Sequence, residues 1–177
     1  KPHYVFVVRD GRDVVRSLID WHKVSLGNIF GMAEDEPGST VSTPEQDWWD
    51  YSRLRPERGS EIGKIWQKLS RFEKCSWYWA EFNKRVLENF QAIGNERAIV
   101  LDMSRIDVED IRRAFSFLNL VGFESDRISS MLSAKINTAS ARGHIDREFP
   151  HWSEWNEEEL ESFNRFGSDM MRRLRYK

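Results

Sequence analysis

Arg9 and Ser17 carry side chains whose types and spacing suit the binding of a phosphate group. A guanidinium can grip phosphate oxygens through two parallel hydrogen bonds, and a serine hydroxyl can donate a further one. The residues between them begin with the turn signal Asp10-Gly11. The spacing therefore predicts that the two side chains converge on one anion across a tight turn.

The segments on either side of this turn predict a strand followed by a helix. Val5–Val8 is apolar and rich in β-branched residues, which is typical of a strand buried on both faces. Apolar residues at helical spacing predict a helix from Asp13 to Lys23. The first N–H groups of a helix lack intrahelical partners and its dipole is positive there, so a helix N-terminus attracts anions. The alternative is an Arg9–Asp13 ion pair that only stabilises the turn.

The run from Val8 to Ser17 resembles the 3′-phosphate-binding motif of sulfotransferases that use 3′-phosphoadenosine 5′-phosphosulfate (PAPS). In that family an arginine at a strand end and a serine eight positions later hold the 3′-phosphate, and Arg9 and Ser17 match both positions. Gly11 makes the motif more similar to bacterial and tyrosylprotein-type members than to cytosolic ones. The resemblance implies a transferase that moves a sulfuryl group from PAPS, its co-substrate, to a hydroxyl or amine acceptor.

The resemblance extends along most of the chain. Tyr78, in a Ser-Trp-Tyr triplet, is similar to a tyrosine that some members set against the adenine. Farther on, the resemblance implies that Lys135 or the pair Arg142-Gly143 closes over the 3′-phosphate. A loop rich in polar residues and glycine suits such a flap, because its backbone N–H groups can point inward. The alternative is a plain surface loop.

The family's phosphate loop does not occur in this sequence. No glycine-rich loop ending in Lys-Ser or Thr-Thr is present, so the catalytic residues are unknown and no general base is assigned. Only Val5–Val8 and Arg97–Leu101 predict strands convincingly, which leaves a buried sheet without enough neighbours. The resemblance implies an α/β fold with a P-loop-type parallel sheet flanked by helices. We also expect residues 1–177 to form a single incomplete domain, the C-terminal portion of a sulfotransferase-like domain whose N-terminal part is missing, with an exposed apolar sheet edge along Tyr4–Val8.

Composition narrows the choice of partners. With 177 residues and 40% hydrophobic residues the chain can build a sizeable core, and its net charge of -2 gives no general attraction to nucleic acid or anionic membranes. Cys75 is the single cysteine, which forbids an internal disulfide and favours a reducing, cytoplasmic compartment. No apolar run reaches transmembrane length. The four histidines show no metal-ligand spacing, so we expect no metal.

The remaining periodicity predicts a mostly helical chain after the first strand. Leu26–Gly59 is irregular, and the stretch Ser60–Ala92 is helical, as one helix or as two broken near Glu73. Further helices are predicted over Val108–Leu120 and Ser125–Leu132, and a last one begins at the capping box formed by Asn156 and Glu159.

Two hypotheses about function follow from these observations. The first is the donor-binding half of a sulfotransferase, whose acceptor is a small molecule, a carbohydrate or a peptide. The second is a non-catalytic interaction module that retains the fold and has lost donor binding; the missing phosphate loop favours it. Sulfuryl transfer, like phosphoryl transfer, depends on positioning and charge stabilisation more than on covalent chemistry from the protein.

Overall fold

A computed structural model describes residues 1–21, 37, 54–134 and 149–176. In these ranges the fold is mixed α/β, mostly helical with a small parallel sheet of two strands. The elements are β1 (Tyr4–Val8), α1 (Gly11–Trp21), α2 (Glu61–Ile65), α3 (Arg71–Ile93), β2 (Ala98–Asp102), α4 (Val108–Phe117), α5 (Ser125–Ser133) and α6 (Glu157–Arg173). None of the helices in the described part of the chain is both long and apolar enough to cross a membrane.

The chain divides into two compact units. The sheet unit comprises Lys1–Arg9 and Lys84–His144, and the helical unit comprises Asp10–Asn83 and Ile145–Lys177. The division falls directly after Arg9 in the chain and again within α3. The sheet unit holds β1, β2, α4 and α5, and the helical unit holds α1, α2 and α6.

In the sheet unit, β1 and β2 pair in parallel along their whole length. One face of the sheet packs against Phe90 of α3, whose ring centroid lies 6.2 Å from that of Tyr4 and 5.9 Å from that of Phe6. The other face is covered unevenly, because Leu101 is 4% exposed whereas Val7, its partner in register, is 49% exposed. Tyr4, Val5 and Val7 are exposed along β1, as expected, and Val8 at its end is buried, so the strand is not buried on both faces as its apolar run predicted.

The helices of the sheet unit begin and end at local signals. Asp107 caps α4, since its side chain accepts the N–H of Asp110 and the Asp110 side chain accepts the N–H of Asp107 in return. The helix ends at Phe117, three residues before the predicted Leu120, because Asn119 has a φ of 55°, a left-handed conformation that cannot continue a helix. The predicted helix at Ser125 is confirmed, with one further residue at its end.

The helical unit is built around a cluster of packed aromatic rings. Phe163 of α6 lies 6.1 Å from Trp79 of α3 and 5.7 Å from Trp155, measured between ring centroids. Phe72 meets Trp155 edge to face at 5.1 Å. Offset and edge-on arrangements of this kind are the favoured geometries of aromatic pairs. The predicted capping box at the start of α6 is confirmed, with Asn156 accepting the N–H of Glu159 at 2.9 Å.

The predicted helical stretch after Ser60 is two helices joined by a short 3₁₀ turn. The break lies just before Arg71, where α3 begins. Ser70 and Glu73 cause it through reciprocal bonds: the Ser70 N–H donates to Glu73 Oε2 at 2.9 Å, and the Glu73 N–H donates to Ser70 Oγ at 3.2 Å. A serine and a glutamate three residues apart form a capping box, which favours a new helix start over continuation.

Candidate functional site

Helix α1 begins at Gly11, two residues earlier than the predicted start at Asp13. Asp10 is the reason, because its Oδ1 accepts the Arg12 N–H at 2.9 Å and its backbone carbonyl accepts the Val14 N–H at 3.1 Å. Both bonds are those of a helix N-cap. The sequence identified Asp10 only as part of a turn signal. In the structure its carboxylate already contacts the positive end of the helix dipole.

Close packing against α3 fixes the position of α1 in the helical unit. Gly11 lies against the Trp79 indole so tightly that a Cβ on this glycine would stand 2.7 Å from three ring carbons. At the other end of α1, the Arg71 guanidinium donates to the Leu18 carbonyl at 3.1 Å. The two helices therefore run antiparallel, and the turn of α3 that carries Tyr78 lies beside the first turn of α1.

The structure places the two predicted phosphate ligands in different units. Arg9 directly follows β1 in the sheet unit and is exposed, while Ser17 is exposed on α1 in the helical unit. Their convergence on one anion, like the alternative Arg9–Asp13 ion pair, therefore stays a prediction. Tyr78 is half-buried on α3, and its ring lies 5.9 Å from that of Phe82 one turn later. Ser17 and Tyr78 belong to the same unit as the first turn of α1.

The remaining predicted contacts to the 3′-phosphate lie outside the described residues. These are Lys135, Arg142 and Gly143, all within the range 135–148. The closing flap that the resemblance implies therefore stays a prediction for all three residues.

Arg12 is a central member of this site that the sequence interpretation did not single out. Its Nε donates to Asp10 Oδ1 at 3.0 Å and its Nη2 donates to Asp10 Oδ2 at 2.6 Å, so the guanidinium holds the carboxylate through two bonds. The Arg12 guanidinium also contacts an aromatic ring, because its central carbon lies 3.9 Å from the centroid of the Trp152 ring. Trp152 is 140 residues away along the chain, so no local pattern could have paired it with Arg12.

Two further bonds hold the segment that carries Trp152 on α1. Arg16 Nε donates to the Phe149 carbonyl at 3.3 Å, and the Phe149 N–H donates to Asp20 Oδ1 at 3.4 Å. Arg12, Arg16 and Asp20 recur every four residues, so they form one face of the helix. The segment that begins at Phe149 and leads to α6 packs on this face of α1.

Within the helical unit, the N-terminus of α1 carries the positive end of the helix dipole, and the Asp10 carboxylate there is paired with Arg12. In the described part of the chain, no three acidic, histidine or cysteine side chains are grouped as metal ligands would be. Comparisons with protein-family models, with curated proteins and with solved structures found no match to this chain.

Proposed function

We propose that this chain binds the 3′-phosphate and adenine of PAPS and serves as the donor-binding part of a sulfotransferase. Arg9 and Ser17 hold the 3′-phosphate at the first turns of α1, and Tyr78 contacts the adenine. Lys135 or the pair Arg142-Gly143 closes over the phosphate. The sulfuryl group then passes to a hydroxyl or amine acceptor, and the two-stranded sheet belongs to a P-loop-type parallel sheet.

The observation that carries this proposal is the contact between Gly11 and Trp79. It brings the first turn of α1 and the α3 turn of Tyr78 side by side within one unit. The proposed phosphate ligand Ser17 and the proposed adenine contact Tyr78, which are 61 positions apart in the sequence, are thereby carried by neighbouring helices. A purely local turn motif would not require this arrangement.

The proposed donor is recognised through charge and shape. A guanidinium that follows a strand can make a bidentate, charge-assisted contact with a phosphate, and the dipole of α1 adds about half a positive charge nearby. The 3′-phosphate distinguishes this donor from ATP, which lacks it. Because Arg9 and Ser17 are proposed to contact only that group, their removal should affect ligands that carry a 3′-phosphate and spare those without one.

Isothermal titration with two nucleotides tests the proposal. Arg9→Ala should weaken binding of 3′-phosphoadenosine 5′-phosphate by about ten- to a hundredfold, the value of a charge-assisted hydrogen bond, and Ser17→Ala by about two- to tenfold. Both variants should bind adenosine 5′-phosphate as the unmodified chain does. Arg113→Ala and Ser129→Ala, at exposed positions of the sheet unit, are matched controls and should change neither affinity. Equal losses for both nucleotides would assign Arg9 to the fold and contradict the proposal.

A non-catalytic interaction module is the second candidate, and the surface of the sheet unit favours it. Val121 is 93% exposed, and apolar side chains on β1 and α5 are also exposed. Where exposed apolar residues form one contiguous patch, they mark a surface that contacts another macromolecule. The same titration separates the two candidates, because an interaction module that has lost donor binding would release no heat with either nucleotide.

A further inference from the structure

The proposed phosphate site contains a carboxylate that would oppose its ligand. Asp10 caps the first turn of α1, where the proposed function places the 3′-phosphate, and its side chain is 12% exposed. A carboxylate and a phosphate are both negative, and they repel most strongly where little water screens them. Binding there requires that the charge of Asp10 be matched from within the protein.

Arg12 is placed to match that charge. It meets both oxygens of the Asp10 carboxylate, and its own side chain is 17% exposed. Trp152 covers the face of the guanidinium, and a cation over an indole ring is attracted to it. The planar group is therefore fixed on two sides, by a carboxylate at its edge and by a ring on its face. Its orientation does not depend on a bound ligand.

We propose that Arg12 is a positioning residue of the nucleotide site, which neutralises Asp10 and so lets the first turn of α1 accept the 3′-phosphate. The inference rests on the proposed function. Arg12 acts through Asp10 and does not contact the phosphate. Trp152 supports this role by holding the guanidinium in place, so the segment after Phe149 contributes to the site without touching the ligand.

Four variants of the 177-residue chain test the role of Arg12, with binding measured by isothermal titration. Arg12→Gln removes a positive charge and the guanidinium bonds from the Asp10 carboxylate, and it should weaken binding of 3′-phosphoadenosine 5′-phosphate by about tenfold, the effect expected of one like charge in a partly solvated site. Adding Asp10→Asn to that variant should restore affinity to within about threefold of the unmodified chain, because asparagine caps a helix as well as aspartate does. Asp10→Asn alone should bind at least as tightly as the unmodified chain. Arg12→Lys keeps the charge and should lose no more than about threefold.

Adenosine 5′-phosphate is the matched ligand for these variants. It lacks the 3′-phosphate, so Arg12→Gln should change its affinity by less than about twofold. Trp152→Phe keeps an aromatic ring against the Arg12 guanidinium and should weaken binding of 3′-phosphoadenosine 5′-phosphate only slightly. Thermal unfolding of each variant checks that the chain is folded at the titration temperature.

The possible outcomes separate this inference from the proposed function. If the unmodified chain does not bind 3′-phosphoadenosine 5′-phosphate, both the proposed function and this inference are wrong. If Arg12→Gln weakens binding of 3′-phosphoadenosine 5′-phosphate and the added Asp10→Asn does not restore it, Arg12 does not act by neutralising Asp10. The proposed function is unaffected by that result. If Arg12→Gln does not fold, Asp10→Asn alone decides: equal or tighter binding supports the inference, and about tenfold weaker binding overturns it.

Discussion

The helical unit and the sheet unit differ in how completely they bury their apolar side chains. In the helical unit, Trp66, Trp79 and Phe163 are nearly inaccessible to solvent. Among the described residues of the sheet unit, Val8, Leu101 and Ala114 are buried, most other large apolar residues are half-buried, and nine are exposed: Tyr4, Val5, Val7, Val100, Met103, Leu120, Val121, Met131 and Leu132. Free energy from apolar burial scales with the area removed from water, at roughly 25 cal/mol per Å². Among the described residues, the helical unit therefore has the larger set of fully buried apolar side chains.

This difference matters for the proposed ligands of the 3′-phosphate. Ser17, Tyr78 and the Asp10–Arg12 pair lie in the well-packed helical unit, whereas Arg9 follows the exposed strand β1 in the sheet unit. Groups on well-packed elements hold their geometry better than groups on loosely packed ones. We expect the helical unit to present its part of the site in a fixed arrangement.

The largest predicted effect on stability is at the centre of the helical unit. Phe163→Ala should lower the free energy of unfolding by about 3–5 kcal/mol, because it removes a buried ring and leaves a cavity. Phe115→Ala removes a half-buried ring in the sheet unit and should cost about 1–2 kcal/mol. Urea denaturation followed by circular dichroism measures both. Equal losses would mean that the two units contribute equally to the core.

A smaller effect is expected where α1 meets α3. Gly11→Ala should cost about 1–3 kcal/mol, since its Cβ would overlap the Trp79 ring, which is 3% exposed and has no room to move. Gly59→Ala is the matched control, because nothing lies within 4 Å of the added carbon, and it should stay within about 0.5 kcal/mol of the unmodified chain. If Gly11→Ala were as stable as that control, the close contact between these helices would be wrong.

The smallest effect is predicted on the exposed surface of the sheet unit. Val121→Ser should change the free energy of unfolding by less than about 0.5 kcal/mol, as expected for a side chain that is 93% exposed. Measurement at two protein concentrations gives the control. A loss above about 1 kcal/mol that grows with concentration would show that Val121 is buried in an association between copies of the chain.

Local sequence signals predicted most of the elements because each depends on residues close together in the chain. The run of β-branched residues predicted β1 to within one residue, and the asparagine and glutamate of the capping box predicted the start of α6. The start of α1 was misplaced because Asp-Gly signals both a turn and a helix cap, and only the hydrogen bonds of Asp10 show which one forms.

The site was less predictable because it depends on contacts between distant parts of the chain. The spacing of Arg9 and Ser17 is a local feature, and it pointed to the first turns of α1. The pairing of Arg12 with Trp152 and the packing of Gly11 on Trp79 arise only when α1, α3 and the segment before α6 come together. A sequence pattern can indicate that an aromatic residue will be buried, but not which cation or glycine it will meet.

The most direct test of the account is a titration of the ¹⁵N-labelled chain with 3′-phosphoadenosine 5′-phosphate, followed by amide chemical shifts. We predict the largest shifts at Arg9, in the first two turns of α1 through Ser17, and around Tyr78, with adenosine 5′-phosphate sparing the α1 amides at equal saturation. Shifts confined to the exposed apolar residues of the sheet unit, or identical shifts with both nucleotides, would contradict the claim that α1 binds the 3′-phosphate.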